Sequence, residues 1–168
     1  MPILALSLVA ASAASYSRRV PRVARLQLPD GYFHALNRGT RKTTIFLDEH
    51  DYEYFRRLLE RVASRHGWVC HSYCLMPNHY HLAVEAETAQ LASGMQRLNG
   101  IYAQRFNERY DESGHLFHGR FHSWVVEGDE YFENLVPYIT QNPVRAGLCP
   151  RAEDWRWSSC TTPLRRVA

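Results

Sequence analysis

Lysine is all but missing from this 168-residue chain: Lys42 is the only one, so nearly all of the 20 basic residues are arginine. Against 17 acidic residues they leave a net charge of +3 and a pI of about 8.7. Arginine forks well onto phosphate, but a GC-rich genome gives the same bias, so the charge alone names no partner. The four cysteines, Cys70, Cys74, Cys149 and Cys160, contain no CxxC pair and no disulfide framework. They read as reduced thiols of a cytoplasmic protein. A long apolar run is also lacking. The stretch Ile3–Ala14 falls short of the roughly 20 residues that span a bilayer, and Met1 and Pro2 supply no basic segment ahead of it. Small residues around Ala10 to Ser15 keep a secretory cleavage region open as an alternative. A start site placed too early, with the protein proper beginning near Val20, is another. The expectation is that residues 1–19 are a disordered or spurious extension. No low-complexity tract, repeat or linker divides the remainder, and 45% of the chain is hydrophobic. That suits one globular domain over residues 20–168.

Patterning supplies the elements. Tyr32 to Asn37 reads as a strand, followed by a polar turn through Thr44. From Asp48 to His66, Tyr52, Phe55, Leu58, Leu59 and Val62 recur at helical spacing, and Gly67 closes the helix. Trp68 to Leu75 and His79 to Glu85 read as a hairpin turning at Met76 to Asn78. A second helix runs from Thr88 to Tyr110, with Leu91, Met95, Leu98, Ala103 and Phe106 inward. The polar stretch Asp111 to Gly119 is a loop, and Arg120 to Val126 a fourth strand. A third helix starts with Asp129 as N-cap and ends at Asn142 ahead of Pro143. The order β-α-β-β-α-β-α predicts an α+β fold: a ferredoxin-like split βαβ antiparallel sheet, both helices on one face, plus a C-terminal helix carrying Tyr138.

Chemistry concentrates in a few places. In the strand His79-Tyr80-His81 the side chains alternate faces, so both imidazoles project from one side and can share a divalent ion. Two ordinary surface histidines are the alternative. Tyr138 and Asn142 stand four residues apart and stack on one helix face. Alone, they read equally well as a core aromatic and a helix-capping amide. His115, His118 and His122 have a spacing suggestive of zinc, but a loop running into a strand does not put them on one helical face.

Four strings then occur in order: Leu75-Met76-Pro77-Asn78-His79-Tyr80-His81-Leu82, Gly114-His115-Leu116-Phe117-His118-Gly119-Arg120-Phe121, Tyr138 through Gly147, and Trp157-Ser158-Ser159. Together they resemble the single-tyrosine HUH transposases of the IS200-like family, particularly the branch associated with repetitive extragenic palindromes. The likeness runs from about Val20 to Ser159, and Pro21 to Leu26 resembles the usual beginning of such proteins. It implies that His79 and His81 are metal ligands, Asn142 the third protein ligand, and Tyr138 the catalytic nucleophile. The implied cofactor is Mg²⁺ or Mn²⁺, the latter favoured by imidazole on softness grounds. Such an ion neutralises a phosphodiester's non-bridging oxygens for in-line attack. A free phenol titrates at about 10, so the attacking oxygen must shed its proton to water, to a base or under the cation's field. Attack yields a 5′-phosphotyrosine and a free 3′-hydroxyl. Because the covalent link conserves the bond energy, a second 3′-hydroxyl can reverse the step without ATP.

The implied substrate is single-stranded DNA carrying hairpin (palindromic) elements, in DNA transposition. Arg38, Arg41 and Lys42 after the first strand, and Arg105, Arg109 and Arg120 around the second helix and its loop, are candidates to track phosphates. Tyr102, Tyr110, Phe117 and Trp124 are candidates to stack bases, at least half of them doubling as core. The alternative function is a catalytically silent hairpin-binding protein on the same fold. An exported zinc protein is a third class, requiring a processed N-terminus. Monomer and homodimer both stay open. The short link Glu127–Gly128 between the fourth strand and the Tyr138 helix leans toward action within one chain.

Overall fold

The computed structural model describes residues 30–164, so the expectations for residues 1–19 and for the segment Pro21 to Leu26 lie outside the described residues. Four strands, β1 (Gly31–Arg38), β2 (Val69–Met76), β3 (His79–Ala86) and β4 (His122–Val126), form one sheet in the order β2-β3-β1-β4. Every neighbouring pair is antiparallel. Helix α1 (Glu49–His66) joins β1 to β2 across β3, and α2 (Thr88–Tyr110) joins β3 to β4 across β1. This is the expected split βαβ arrangement.

Both crossover helices cover the same face. Helix α1 is capped by Asp48, whose side chain accepts from the Asp51 amide, and ends on Gly67 in the left-handed region at φ 67°. Its inner stripe Tyr52, Phe55, Leu58, Leu59 and Val62 is buried as its spacing requires. From the sheet, Phe33, Ala35, Tyr73, Leu75, Tyr80, Leu82 and Val84 meet it, and from α2 come Leu91, Met95, Leu98 and Phe106. On α2 it is Tyr102, not Ala103, that is fully buried; its hydroxyl donates to the Ile45 carbonyl, which satisfies the one polar atom the ring carries.

The opposite face is built differently. Helix α3 (Asp129–Thr140) lies across it and buries Leu135 and Ile139 against Cys74, Met76, Ala83 and Val126. Gly128, at φ 85°, is the N-cap, with Asp129 already in the helix. The expected stop at Asn142 is instead a change of helix. Helix α3 ends at Thr140, and a short helix α4 (Asn142–Arg145) follows with Pro143 in its first turn, where a missing N–H costs nothing. Pro137 is tolerated inside α3.

Two of the sequence strings serve the sheet margins. Residues 115–119 hook onto the end of β1: Phe117 bridges Gly39, the Thr40 amide donates to the Leu116 carbonyl, and the His118 amide to that of Arg38. This takes Arg120 out of the ladder and makes β4 begin at His122 rather than Arg120. Trp157 to Ser159 lie along the outer edge of β2, through Leu75 N–H to Trp157 O and Ser159 N–H to Tyr73 O. An edge that would otherwise invite another strand is thereby covered.

Candidate active site

The face opposite α1 and α2 collects the polar chemistry. Alternation in β3 sends Tyr80 and Leu82 into the main core and turns His79 and His81 to this side. In the β1–β3 register Leu36 pairs with His81 and His34 with Ala83, so His34 is the diagonal neighbour of His81 on the same face. Their rings stack with centroids 5.2 Å apart, and His34 Nε2 lies 3.0 Å from His81 Nδ1. The His79 and His81 rings are 5.0 Å apart, edge to face. His79 Nδ1 is 2.7 Å from Asn78 Oδ1.

Helix α3 brings Tyr138 over this group, its ring centroid 6.4 Å from His81 and 6.1 Å from His34. The phenol ring is half-buried. It packs against Ile139's side of the second core and against imidazole, rather than in a hydrocarbon pocket. Helix α4 returns Arg145 over the same ring at 4.3 Å, and its Nη2 donates to the Tyr138 carbonyl at 2.6 Å. Asn142 caps the end of α3: its amide nitrogen donates to the Tyr138 carbonyl (3.2 Å) and the Ile139 carbonyl (3.0 Å). Among the described residues no hydrogen bond or ring contact joins Asn142 to the imidazoles.

Burial sets the electrostatics. It lowers the His34 pKa to about 4. His79 is lowered by burial and then by the charge of Arg38. His81, 7% exposed, is lowered well below the ordinary value by burial, then by His34, His79 and Arg145. All three are therefore neutral near pH 7, with a lone pair on each ring, and neutral imidazole is the form that binds metal. Two such rings side by side fit a divalent ion. Among the described residues no three His, Cys, Asp or Glu side chains group as a metal site by themselves. An ion here would take further ligands from an amide oxygen, from water or from substrate.

The candidate phosphate contacts divide into two sets. Arg38 is the ladder partner of His79. Arg41 and Lys42 follow in a turn, both at left-handed φ (53° and 63°), with the Lys42 carbonyl accepting from Asn78 Nδ2. Arg120 leaves the loop that hooks onto Arg38 and Gly39. Of these four, Arg38 adjoins His79 in the ladder, and the Lys42 backbone meets Asn78 beside it. Arg105 and Arg109 lie on the α1–α2 side, Arg105 over the Tyr54 ring at 4.2 Å, and Arg109 ion-paired with Asp48 and Asp51. Arg109 thus ties α2 to the start of α1, a structural task that sequence spacing does not reveal. Of the four aromatic candidates, Tyr102 and Phe117 are core residues, and the Tyr110 hydroxyl donates to Asp51. Trp124 alone stays exposed on the imidazole face, 5.6 Å from His34. His34 and Arg145 went unmarked in the sequence because strand pairing and the α3–α4 turn bring them in. A histidine of matching face parity in β1 was the available signal for the first.

A sheet face that gathers imidazoles, a phenol and an arginine on a ferredoxin-like frame is a compact polar site able to take a cation and an anion together. The chain belongs to the IS200-like transposase family, whose model matches residues 27–142. It is 26% identical over 135 residues to a Haemophilus influenzae protein assigned to the REP-associated tyrosine transposases, covering 69% of this chain and 76% of the relative. In fold it is similar to a solved REP-associated tyrosine transposase bound to a REP hairpin, with a TM-score of 0.66, 18% identity and coverage of 83% and 82% of the two chains. The α+β architecture expected from the sequence is the one these comparisons bear out. Among the described residues no helix is long and apolar enough to cross a membrane.

Proposed function

We propose that this transposase cleaves and rejoins single-stranded DNA beside a hairpin, with Tyr138 as nucleophile and a 5′-phosphotyrosine intermediate. The observation that carries the reading is the seat of Tyr138: in a single chain its ring lies beside both His81 and His34. The phenol oxygen attacks phosphorus in line. The P–O bond to the 3′ oxygen breaks; the phenol gives its proton to solvent, and the leaving 3′ oxygen takes one up from solvent to become the 3′-hydroxyl of the released strand. Arg145, over the ring and tied to the Tyr138 carbonyl, holds the phenol in place and sets a positive charge beside the phosphate. His79 and His81 would hold a Mg²⁺ or Mn²⁺ ion, with the Asn142 amide oxygen as third ligand. When bound, that ion supplies charge neutralisation at a non-bridging oxygen. Arg38, the ladder partner of His79, with Arg41, Lys42 and Arg120, would meet the phosphates of an entering strand. The hairpin partner is taken from the similar protein solved with one.

The test is a labelled single-stranded hairpin oligonucleotide incubated with the protein and Mn²⁺. A denaturant-stable protein–DNA adduct is expected, and none with Tyr138→Phe. Tight binding without adduct across several hairpins would instead identify a silent hairpin-binding protein on this fold.

A further inference from the structure

We infer that His34 and Asn78 are positioning residues that lock the two candidate ligand imidazoles in the tautomer able to bind a cation. The inference rests on the reading of His79 and His81 as a shared metal site.

At His79 the atom types fix the proton. Asn78 Nδ2 donates to the Lys42 carbonyl at 3.2 Å, which fixes the orientation of the amide. Its Oδ1 therefore faces His79 Nδ1 at 2.7 Å. An amide oxygen only accepts, so the proton of that bond sits on Nδ1. The Nε2 of His79 is left with its lone pair. Because Lys42 lies at left-handed φ (63°) in the turn after β1, the turn itself sets the carbonyl that aims Asn78.

His81 reaches the same state by another route. Its Nδ1 lies 3.0 Å from His34 Nε2, and one of the two nitrogens must carry the proton. If His34 donates, His81 places its own proton on Nε2 and cannot ligate through that atom. If His34 accepts, His81 is the Nδ1–H tautomer and matches His79. Only the second arrangement gives the adjacent rings two equivalent Nε2 donors. His34 is then to His81 what Asn78 is to His79. Orienting partners of this kind, which accept from the remote N–H of a ligand histidine, typically change metal affinity 10- to 100-fold.

Long-range ¹H–¹⁵N spectra of the metal-free protein near pH 7.5 report tautomers directly. Both His79 and His81 are expected as Nδ1–H, and an Nε2–H tautomer at either overturns the inference even where variants fail to fold. Mn²⁺ affinity, read from the EPR signal of the free ion, supplies a second measure. Asn78→Ala and His34→Leu, checked for folding by circular dichroism, are expected to bind Mn²⁺ about 10- to 100-fold more weakly. Asn78→Asp and His34→Gln keep an accepting oxygen and are expected to bind Mn²⁺ more tightly than Asn78→Ala and His34→Leu, and an affinity no better than theirs overturns the positioning role. Affinities of Asn78→Ala and His34→Leu within twofold of the parent overturn the positioning role alone. A parent protein that binds no Mn²⁺ at His79 and His81 overturns the metal reading beneath it.

Discussion

His34 has a measurable consequence in solution, because burial holds its pKa near 4 while an unfolded chain titrates the same imidazole near 6.5. Between those values the unfolded state binds a proton that the folded state refuses, so stability is full above about pH 6.5 and falls as pH drops toward 4. His79 and His81, also lowered by burial, push in the same direction. For His34 alone the loss amounts to about 3 kcal/mol across the window. Urea unfolding of the chelator-treated protein from pH 7.5 to 4.5 should show the decline, and His34→Gln should flatten it. A profile equally steep in the variant would rule out His34 as a source. The positive charge of Arg109, a candidate phosphate contact in the sequence, is ion-paired with Asp48 and Asp51.

At the scale of elements, α3 is the part that links stability to chemistry. It presents Tyr138 to the imidazoles while Leu135 and Ile139 anchor it on the sheet, in a small core separate from the main one. Truncating the fully buried Ile139 to alanine should cost about 2–4 kcal/mol, concentrated in the docking of α3. Hydrogen exchange is expected to accelerate across residues 129–140 with the α1 and α2 amides still protected, and adduct formation should fall with it. Uniform acceleration through all helices would show instead that the two cores melt as one. The strands and helices of the main layer were legible in the sequence, since period-two and period-3.6 patterns of apolar residues have a simple cause. The end of α3 was not. Pro143 disfavours helix before it in isolation, yet the chain turns at Gln141 and restarts a helix in which that proline occupies the first turn.

The whole molecule divides its labour between the two faces of one sheet: hydrocarbon packing beneath α1 and α2, and imidazole, phenol and guanidinium beneath α3 and α4. Strand β4 and α3 are joined by only Glu127 and Gly128, and Tyr138 rests beside the histidines of its own chain. Catalysis within one subunit is therefore expected. Mixing Tyr138→Phe with His81→Ala should give no covalent adduct, because neither chain carries a complete set. Recovery of adduct in the mixture would mean that tyrosine and histidines are supplied by different subunits.

Local order in the chain was enough to establish the element sequence, the shared face of His79 and His81, and the four-residue spacing of Tyr138 and Asn142. Each depends only on backbone periodicity, a property of neighbours. What only the tertiary structure decided were the encounters between distant segments. Sheet register set His34 against His81, the turn after α3 carried Arg145 over Tyr138, and ion pairing joined Arg109 to Asp48 and Asp51. The physical reason is that a side chain's direction follows from its own strand or helix, whereas its partner is chosen by how those elements pack.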